Sequence, residues 1–211
     1  PSELFQNRTL NLGRLVMSLL VIVVTFLVLW QGFLFLRDSD APKIVIAAVD
    51  GGTTYWHPRP GGEDAGAMLV DEFLPTLRRA GLDAGRIALM GWSMGGYGAL
   101  RLAGLLGPDR VAAVVAASPA IWRDPDDASA SGFDDAREYE QFSVFGHQAD
   151  LGSIPVRIDC GTGDPFYRDV QEYVSGFDSP VTSTFEPGGH LDGYWRRMLP
   201  AELAFLGDHL A

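Results

Sequence analysis

The sequence predicts an α/β fold, in which a mostly parallel sheet carries helices on both faces, behind an apolar N-terminal segment. Short apolar runs alternate with stretches of helical periodicity, which is the pattern of parallel strands joined by crossover helices. Turns that contain glycine or proline separate these runs. With 211 residues, 47% of them hydrophobic, the chain is large enough to bury the core of one domain.

The N-terminal segment, residues 1–43, is expected to carry a transmembrane helix at residues 15–36. This stretch, "LVMSLLVIVVTFLVLWQGFLFL", contains no charged residue. As a helix rising about 1.5 Å per residue, it would cross the hydrocarbon core of a bilayer. A cleavable signal peptide would have a shorter apolar region that ends at a small-residue site. We therefore expect a single-pass protein of the cell membrane, with the bulk of the chain outside the cytoplasm.

The following segment, residues 44–211, is expected to form the soluble domain. Apolar runs predict five strands, at residues 44–50, 86–90, 111–117, 156–160 and 181–186. The spacing of apolar side chains predicts helices at residues 67–77, 97–106 and 194–210. Between the third and fourth strands, residues 123–150 are acidic and irregular. Two interpretations of this segment stay open, a solvated excursion and a cap over a site.

The composition excludes whole classes of partner. A formal net charge of −11 leaves no basic stripe for nucleic acid or for an anionic lipid surface. Cys160 is the single cysteine, so the chain can form neither an internal disulfide nor a cysteine-based metal cluster. We expect Cys160 to be a small buried hydrophobe. Lys43 is the one lysine among 16 basic residues, a bias that indicates a GC-rich bacterial genome.

The segment "GWSMGGYGAL", residues 91–100, makes Ser93 a candidate nucleophile. Gly-x-Ser-x-Gly is a short pattern that a chain with 25 glycines can produce by chance, so its context decides. Ser93 follows a predicted strand and precedes a predicted helix, on a turn where flanking glycines allow a sharp bend. The N-terminus of that helix would stabilise a developing oxyanion, with the backbone N–H of Met94 as one donor.

Acyl transfer by a serine also needs a histidine to take the hydroxyl proton and a carboxylate to orient that histidine. Asp164 follows the strand at 156–160 through "GTG", at the edge where ligand-facing loops leave a parallel sheet. Asp159, inside that strand, and Asp169, in the next helix, are the alternative acids.

The candidate histidine is His190, which follows the fifth predicted strand through "PGG". A glycine-containing loop at this place can carry the imidazole towards Ser93. The other three histidines, His57, His147 and His209, have no such placement and are expected on the surface.

Four separated motifs make residues 44–211 resemble a known group of proteins. The motifs are "VDGGTTYWH", "GWSMGGYGAL", "IDCGTGDPFY" and "EPGGHLDGYWRRMLPAELAFL". They are similar to those of the esterase family of α/β-hydrolases that includes esterase D, S-formylglutathione hydrolases and the mycobacterial mycolyltransferase antigens. The chain resembles a membrane-anchored, actinobacterial-type member of that family.

The resemblance implies serine carboxylesterase or acyl-transfer chemistry with no metal and no organic cofactor. By the same resemblance the catalytic triad falls on Ser93, Asp164 and His190. It further implies that the acyl pocket is lined by Gly51, Tyr55 and Trp56.

The chain departs from the family in front of the predicted strand at 44–50. The family has further strands ahead of the matching strand, and a loop after one of them supplies the second oxyanion N–H. A parallel strand and its crossover need a dozen or more residues, which residues 37–43 cannot provide. We expect residues to be omitted near 40–43 and the second donor to lie among them. The alternatives are strands supplied by a partner and a truncated, inactive domain.

The sequence thus predicts a membrane-anchored serine esterase that acts on acyl esters, lipids among them, through an acyl-enzyme. An acyltransferase that uses the same triad, with a sugar or other alcohol in place of water, is one alternative. A catalytically weak accessory subunit of a membrane complex, which uses the fold as a binding surface, is another.

Overall fold

The computed structural model describes residues 44–210. Within this range we find no helix with the length and apolar character that a bilayer crossing requires. The transmembrane helix expected at residues 15–36, and the junction at 37–43, lie outside the described residues.

Four parallel strands form the sheet of the described region. They are β1 (Ile87–Trp92), β2 (Val111–Ala117), β3 (Val156–Gly161) and β4 (Thr182–Glu186). Their order in space is their order in the chain, β1-β2-β3-β4. Each agrees with a predicted strand to within two residues at its ends. Because all four run in parallel, their carboxyl ends meet at one edge of the sheet.

Five helices accompany these strands. Helix α1 has three consecutive parts, Ala65–Ala67, the π-helical Met68–Phe73 and Leu74–Arg79. The others are α2 (Met94–Leu106), α3 (Ala136–Phe142), α4 (Tyr167–Ser175) and α5 (Asp192–Leu210). Short 3₁₀ turns cover Pro125–Asp127 and Gln148–Leu151. The three predicted helices correspond to α1, α2 and α5.

Strand β2 shows why the sheet needs cover on both faces. All seven of its residues are buried. Val114 and Ala116 belong to the main apolar core, into which α2 contributes its buried face. Ala113 and Val115 point to the opposite side, where they pack with Leu206 of α5. The predicted α/β architecture, a parallel sheet with helices on both faces, is therefore confirmed for the described residues.

The strand predicted at residues 44–50 is wrong. These residues adopt no regular secondary structure, and most of them are exposed, with Val45 at 69% and Ile46 at 38%. Within residues 44–210, β1 pairs with β2 alone, so no ladder takes up this segment. Apolar character by itself does not make a strand, because the backbone N–H and C=O groups must find partners in a neighbouring strand.

The acidic segment at residues 123–150 is folded against the core. Phe133, Tyr139 and Val144 are buried in the main apolar cluster, and α3 lies between the two short 3₁₀ turns. Arg59, in the loop before α1, forms ion pairs with Asp134 and Glu138 and so links that loop to the acidic segment. The acidic side chains are therefore the outer face of a packed excursion.

His57 is buried, contrary to the expectation of a surface position. Its imidazole is 0% exposed and is stacked between Phe133 and Phe142, at ring distances of 5.2 and 4.6 Å. Its Nε2 lies 2.9 Å from the carbonyl oxygen of Gly132, which fastens the loop to the acidic segment. Nothing in the local sequence distinguishes this core histidine from a surface one, since the two rings that stack on it and the Gly132 carbonyl come from 75 or more residues away.

Candidate active site

Ser93 occupies a strained turn between β1 and α2. Its backbone has φ 55° and ψ −126°, a conformation that L-residues rarely adopt and that projects the side chain away from the bend. A Cβ on Gly91 would come within 2.2 Å of the carbonyl oxygen of Gly95, so only glycine fits there. Gly96 is similarly confined by Pro119, at 3.0 Å.

Gly95 does not share this confinement. A Cβ at that position would meet no atom within 4 Å. Crowding therefore does not require glycine at position 95, because a side chain at this residue would enter open space beside the first turn of α2.

Backbone hydrogen bonds fix the turn to its neighbour β2. The Ser93 N–H donates to the carbonyl oxygen of Ala117 at 3.0 Å, and the Ala120 N–H donates to the Ser93 carbonyl oxygen at 2.9 Å. That carbonyl also accepts from the N–H groups of Gly96 and Tyr97, which start the ladder of α2. The position of Ser93 is consequently determined by β1, α2 and the turn after β2 together.

Ser93, His190 and Asp164 form one hydrogen-bonded chain. His190 Nε2 lies 2.8 Å from Ser93 Oγ, and His190 Nδ1 lies 2.9 Å from Asp164 Oδ2. An ionised carboxylate can only accept, so Nδ1 carries the proton and Nε2 is left to accept from the Ser93 hydroxyl. This is the tautomer in which the imidazole can take the proton of an attacking serine.

Asp164 is held as a carboxylate by several donors. Its Oδ1 accepts from the Phe166 N–H at 2.9 Å, while Oδ2 faces His190. Burial by itself would raise the pKa of Asp164, but the hydrogen bonds from His190 and from the Phe166 N–H outweigh it and lower that pKa below its usual value. The acid therefore remains charged where an orienting carboxylate is needed.

The two alternative acids lie elsewhere. Asp159 is fully buried within β3 and pairs with Arg157, Nε to Oδ2, at 2.7 Å. Asp169 lies in the first turn of α4. The structure thus places Asp164, and neither alternative, against the imidazole of His190.

The loops that carry Asp164 and His190 are joined directly. The Gly163 N–H donates to the Gly188 carbonyl oxygen at 2.8 Å. Such close approach requires glycine, because a Cβ on Gly161 would come within 2.4 Å of that same carbonyl oxygen. The two loops therefore form one unit, and the acid keeps a constant position relative to the histidine.

Two aromatic rings contact the imidazole of His190. Phe166, two residues after Asp164, lies edge-on at 5.2 Å, and Trp195, in the first turn of α5, lies edge-on at 5.1 Å. Trp92, at the end of β1, stacks in turn on Trp195 at 6.0 Å. Phe166 also contacts Trp122, at 5.4 Å. We call these four aromatic residues the aromatic wall; Phe166 and Trp195 contact the histidine directly, and Trp122 and Trp92 contact those two rings.

The aromatic wall was not among the predicted site residues. Its signal was present, since Phe166 and Trp195 stand inside the two motifs that contain Asp164 and His190. An aromatic residue near a motif is as often a core residue, and only the ring contacts distinguish the two.

The residues expected to line an acyl pocket are mainly core residues here. Tyr55 and Trp56 are only 7% and 8% exposed. Trp56 fills the space above two glycines, since a Cβ on Gly51 or Gly98 would come within 2.5 or 2.1 Å of its ring. Tyr55 contacts Trp122, a member of the aromatic wall, at a ring distance of 6.0 Å. The sequence alone could not show whether these side chains are buried in the core or line a pocket.

Met94 is the first residue of α2. The N–H at this position has no acceptor within the helix, and the helix dipole adds positive potential there. This N–H is therefore available to a developing oxyanion beside Ser93. The second donor, expected in a segment ahead of residue 44, falls outside the described residues.

A sequence model of the α/β hydrolase fold matches residues 54–149. No match was found among the curated proteins.

Solved structures of an esterase and of two hydrolases share the fold. A ferulic acid esterase matches with 24% identity over 74% of this chain and 65% of its own, at a TM-score of 0.59. A substrate-bound fluorophosphonate-binding serine hydrolase from Staphylococcus aureus matches with 19% identity over 75% of this chain and 68% of its own, at 0.61. An S-formylglutathione hydrolase from Agrobacterium tumefaciens matches with 19% identity over 76% of this chain and 63% of its own, at 0.58.

This chain thus spans less than two thirds of the length of the first and third of these structures. The fold of the described region is an α/β-hydrolase fold, and the resemblance that the motifs indicated is confirmed at the level of that fold.

Proposed function

We propose that this α/β-hydrolase-fold chain is a serine esterase that hydrolyses carboxylic acyl esters through an acyl-enzyme. The observation that carries the proposal is the continuous hydrogen-bonded chain from Asp164 through His190 to Ser93, with distances of 2.9 and 2.8 Å. An activated nucleophile is recognised by this relation, in which the base contacts the nucleophile and a third group orients the base.

In the first half of the reaction, Ser93 Oγ attacks the ester carbonyl carbon and its proton passes to His190 Nε2. The carbonyl oxygen becomes an oxyanion, to which the Met94 N–H donates. Asp164 stabilises the imidazolium and stays ionised, in keeping with its lowered pKa. The imidazolium then gives its proton to the departing alkoxide, which leaves as the alcohol while Ser93 keeps the acyl group.

In the second half, His190 Nε2 removes a proton from a water molecule that attacks the acyl carbon. The resulting intermediate collapses, the bond to Ser93 Oγ breaks, and the imidazolium returns the proton to that oxygen. The products are the carboxylic acid and the free serine. If an alcohol took the place of this water, the same groups would carry out acyl transfer.

The surroundings of His190 favour an apolar substrate. The aromatic wall borders the imidazole, and Leu191, the next residue in the chain, is 69% exposed. Aromatic and aliphatic surface of this kind gains free energy by covering a hydrocarbon or aromatic acyl group. The names of the similar structures, which include a ferulic acid esterase, support an ester as the substrate class.

We further propose that residues 15–36 anchor the protein in a membrane and place the esterase domain outside the cytoplasm. The length and the absence of charge in this stretch support the proposal. The anchor is tested by extraction: the full chain should need detergent for release from membranes, and its release by a high-salt wash would overturn the anchor while leaving the esterase proposal intact.

The esterase proposal is tested with the purified full chain in two assays. A fluorophosphonate probe should label the wild-type protein covalently, and p-nitrophenyl esters of increasing chain length should be hydrolysed. The Ser93→Ala variant should show neither activity. Ser179→Ala, which changes an exposed serine, is the matched control and should behave as wild type.

Labelling that persists in Ser93→Ala, or ester turnover equal in the two variants, would overturn the assignment of Ser93. Turnover that requires an added alcohol and yields a new ester would instead make the protein an acyltransferase.

A further inference from the structure

His190 is carried by a short loop, residues 187–191, which we call the histidine loop. It joins the end of β4 to the start of α5 and contains two consecutive glycines, Gly188 and Gly189. Glycine has more backbone freedom than any other residue, so a loop of this composition does not fix its own conformation. The place of the imidazole is therefore determined by the contacts that the loop makes with its surroundings.

The middle of the histidine loop is held by two neighbours. The Gly188 carbonyl oxygen accepts from the Gly163 N–H at 2.8 Å. On Gly188, a Cβ would come within 2.2 Å of the ring of Tyr194, so this ring lies directly against the loop backbone. Pro187, where the loop begins, has no N–H to donate, and its carbonyl oxygen can only be held by a donor from elsewhere.

Arg197 of α5 supplies that donor. Its Nη2 donates to the Pro187 carbonyl oxygen at 2.6 Å, and its Nε donates to Glu186 Oε1 at 2.7 Å. The guanidinium carbon also lies over the ring of Tyr194, 5.2 Å from its centre, and Tyr194 is buried. One planar group thus bridges two consecutive residues at the point where β4 passes into the histidine loop.

The ion pair within this bridge is solvent-accessible. The side chain of Arg197 is 50% exposed and that of Glu186 is 38% exposed. An exposed ion pair adds little to the stability of a protein. A hydrogen bond from a charged donor to a backbone carbonyl nevertheless restricts that backbone, and the carboxylate of Glu186 keeps the guanidinium fork turned towards it.

We propose that Arg197 is a positioning residue, which holds the start of the histidine loop and so keeps the imidazole of His190 between Ser93 and Asp164. The inference rests on the proposed function, in which His190 is the general base. It concerns how the base is placed, and it assigns Arg197 no contact with the substrate.

The test compares two variants of Arg197 with a neighbour. Arg197→Gln removes the bridge, and Arg197→Lys keeps the charge but not the planar fork that reaches two acceptors. Each should lower kcat for a p-nitrophenyl ester by roughly 3–10-fold and leave KM within about twofold, because the base is misplaced while substrate binding is unchanged. Arg196→Gln is the matched control, since Arg196 pairs with Asp192 inside α5 at 2.9 Å, and it should keep wild-type kcat.

A second readout reports on His190 without any turnover. In the full chain with isotope-labelled histidine, the exchange with solvent of the Nδ1 proton that faces Asp164 is followed by nuclear magnetic resonance. This exchange should be at least about threefold faster in Arg197→Gln than in wild type, because the imidazole leaves the carboxylate more often. A purely structural role of Arg197 would lower the melting temperature and leave this exchange unchanged.

The inference is overturned if Arg197→Gln keeps both wild-type kcat and wild-type exchange, if Arg196→Gln reproduces the loss, or if Arg197→Lys has wild-type kcat. If Arg197→Gln folds poorly, as judged by its melting temperature, Arg197→Lys decides, since it keeps the aliphatic stem and the charge. A failure of the proposed function looks different, because the wild-type protein would then show no Ser93-dependent turnover, while the exchange of the Nδ1 proton would still respond to Arg197.

Discussion

Ser93 Oγ and His190 Nε2 lie 2.8 Å apart although 97 residues separate them in the chain. The strands that precede them, β1 and β4, are the two outer strands of the four described, three strand spacings or about 14 Å apart. Residues 187–191, which follow β4, can span about 17 Å when extended, and this reach brings the imidazole over the sheet edge to the serine.

Replacement of Asp164 by asparagine should lower kcat by about 10³–10⁴-fold and leave the protein folded. An amide can donate to Nδ1, which favours the tautomer that cannot take the Ser93 proton. Asp169→Asn, in α4, is the matched control and should keep kcat within about twofold. The measurement is ester turnover with melting temperature as the folding check. Equal turnover by Asp164→Asn and wild type would contradict the proposed role.

The two glycines that flank Ser93 should respond oppositely to alanine. Gly91→Ala places a Cβ 2.2 Å from backbone atoms and should destabilise the protein by at least about 1–3 kcal/mol. Gly95→Ala meets nothing within 4 Å and lies in the first turn of α2, so its free energy of unfolding should be unchanged or higher by up to about 1 kcal/mol. Urea unfolding measures both. A larger loss for Gly95→Ala than for Gly91→Ala would show that the turn is not built as described.

The edge-on contact of Trp195 with His190, at 5.1 Å, should increase kcat for ester hydrolysis. Trp195→Phe keeps an aromatic edge and should retain kcat within about threefold. Trp195→Leu keeps apolar volume without the ring and should lower kcat by roughly tenfold, because the imidazole loses an aromatic contact worth about 1 kcal/mol and gains rotational freedom. Steady-state kinetics and melting temperatures of the two variants test this. Identical kcat values for the leucine and phenylalanine variants would show that kcat depends on the apolar volume at position 195 and not on the aromatic ring.

Glu202, on the face of α5 that meets the sheet, should make stability depend on pH. It is 1% exposed, and neither carboxylate oxygen has a hydrogen-bond partner among the described residues. Burial, and then the nearby Asp159, raise the pKa of Glu202 well above its usual range. A folded-state pKa above the unfolded one means that the folded protein binds the extra proton, so stability falls as pH rises from the ordinary glutamate pKa through the raised one.

Glu202→Gln stays neutral throughout that range and should remove the loss. At pH 8 we expect it to be more stable than wild type by about 1–3 kcal/mol, and at pH 4 to 5 the difference should be small. Glu172→Gln, which changes a half-exposed carboxylate paired with Arg123, is the control and should keep the wild-type slope. Urea unfolding at the two pH values gives the comparison. If the free energy of unfolding of Glu202→Gln fell with pH as steeply as that of wild type, Glu202 would not be the source of the pH dependence.

Much of the fold and of the candidate site could be predicted from the sequence. Strand β2 was predicted at residues 111–117, and it runs from Val111 to Ala117. Ser93, Asp164 and His190 were selected because each follows a strand through a short, glycine-containing turn, and the parallel sheet brings such turns to one edge. Signals of this kind are local, because apolar periodicity and turn residues act over a few neighbours.

What the sequence by itself determined is therefore the four strands β1 to β4, the helices α1, α2 and α5, and the three side chains at the ends of the strands. Only the tertiary structure decided that residues 44–50 form no strand, that His57 is buried between two aromatic rings, and that Phe166 and Trp195 hold His190. The physical reason is the same in each case. Strand pairing, burial depth and ring contact are relations between residues far apart in the chain, and no local pattern of apolar and polar residues specifies them.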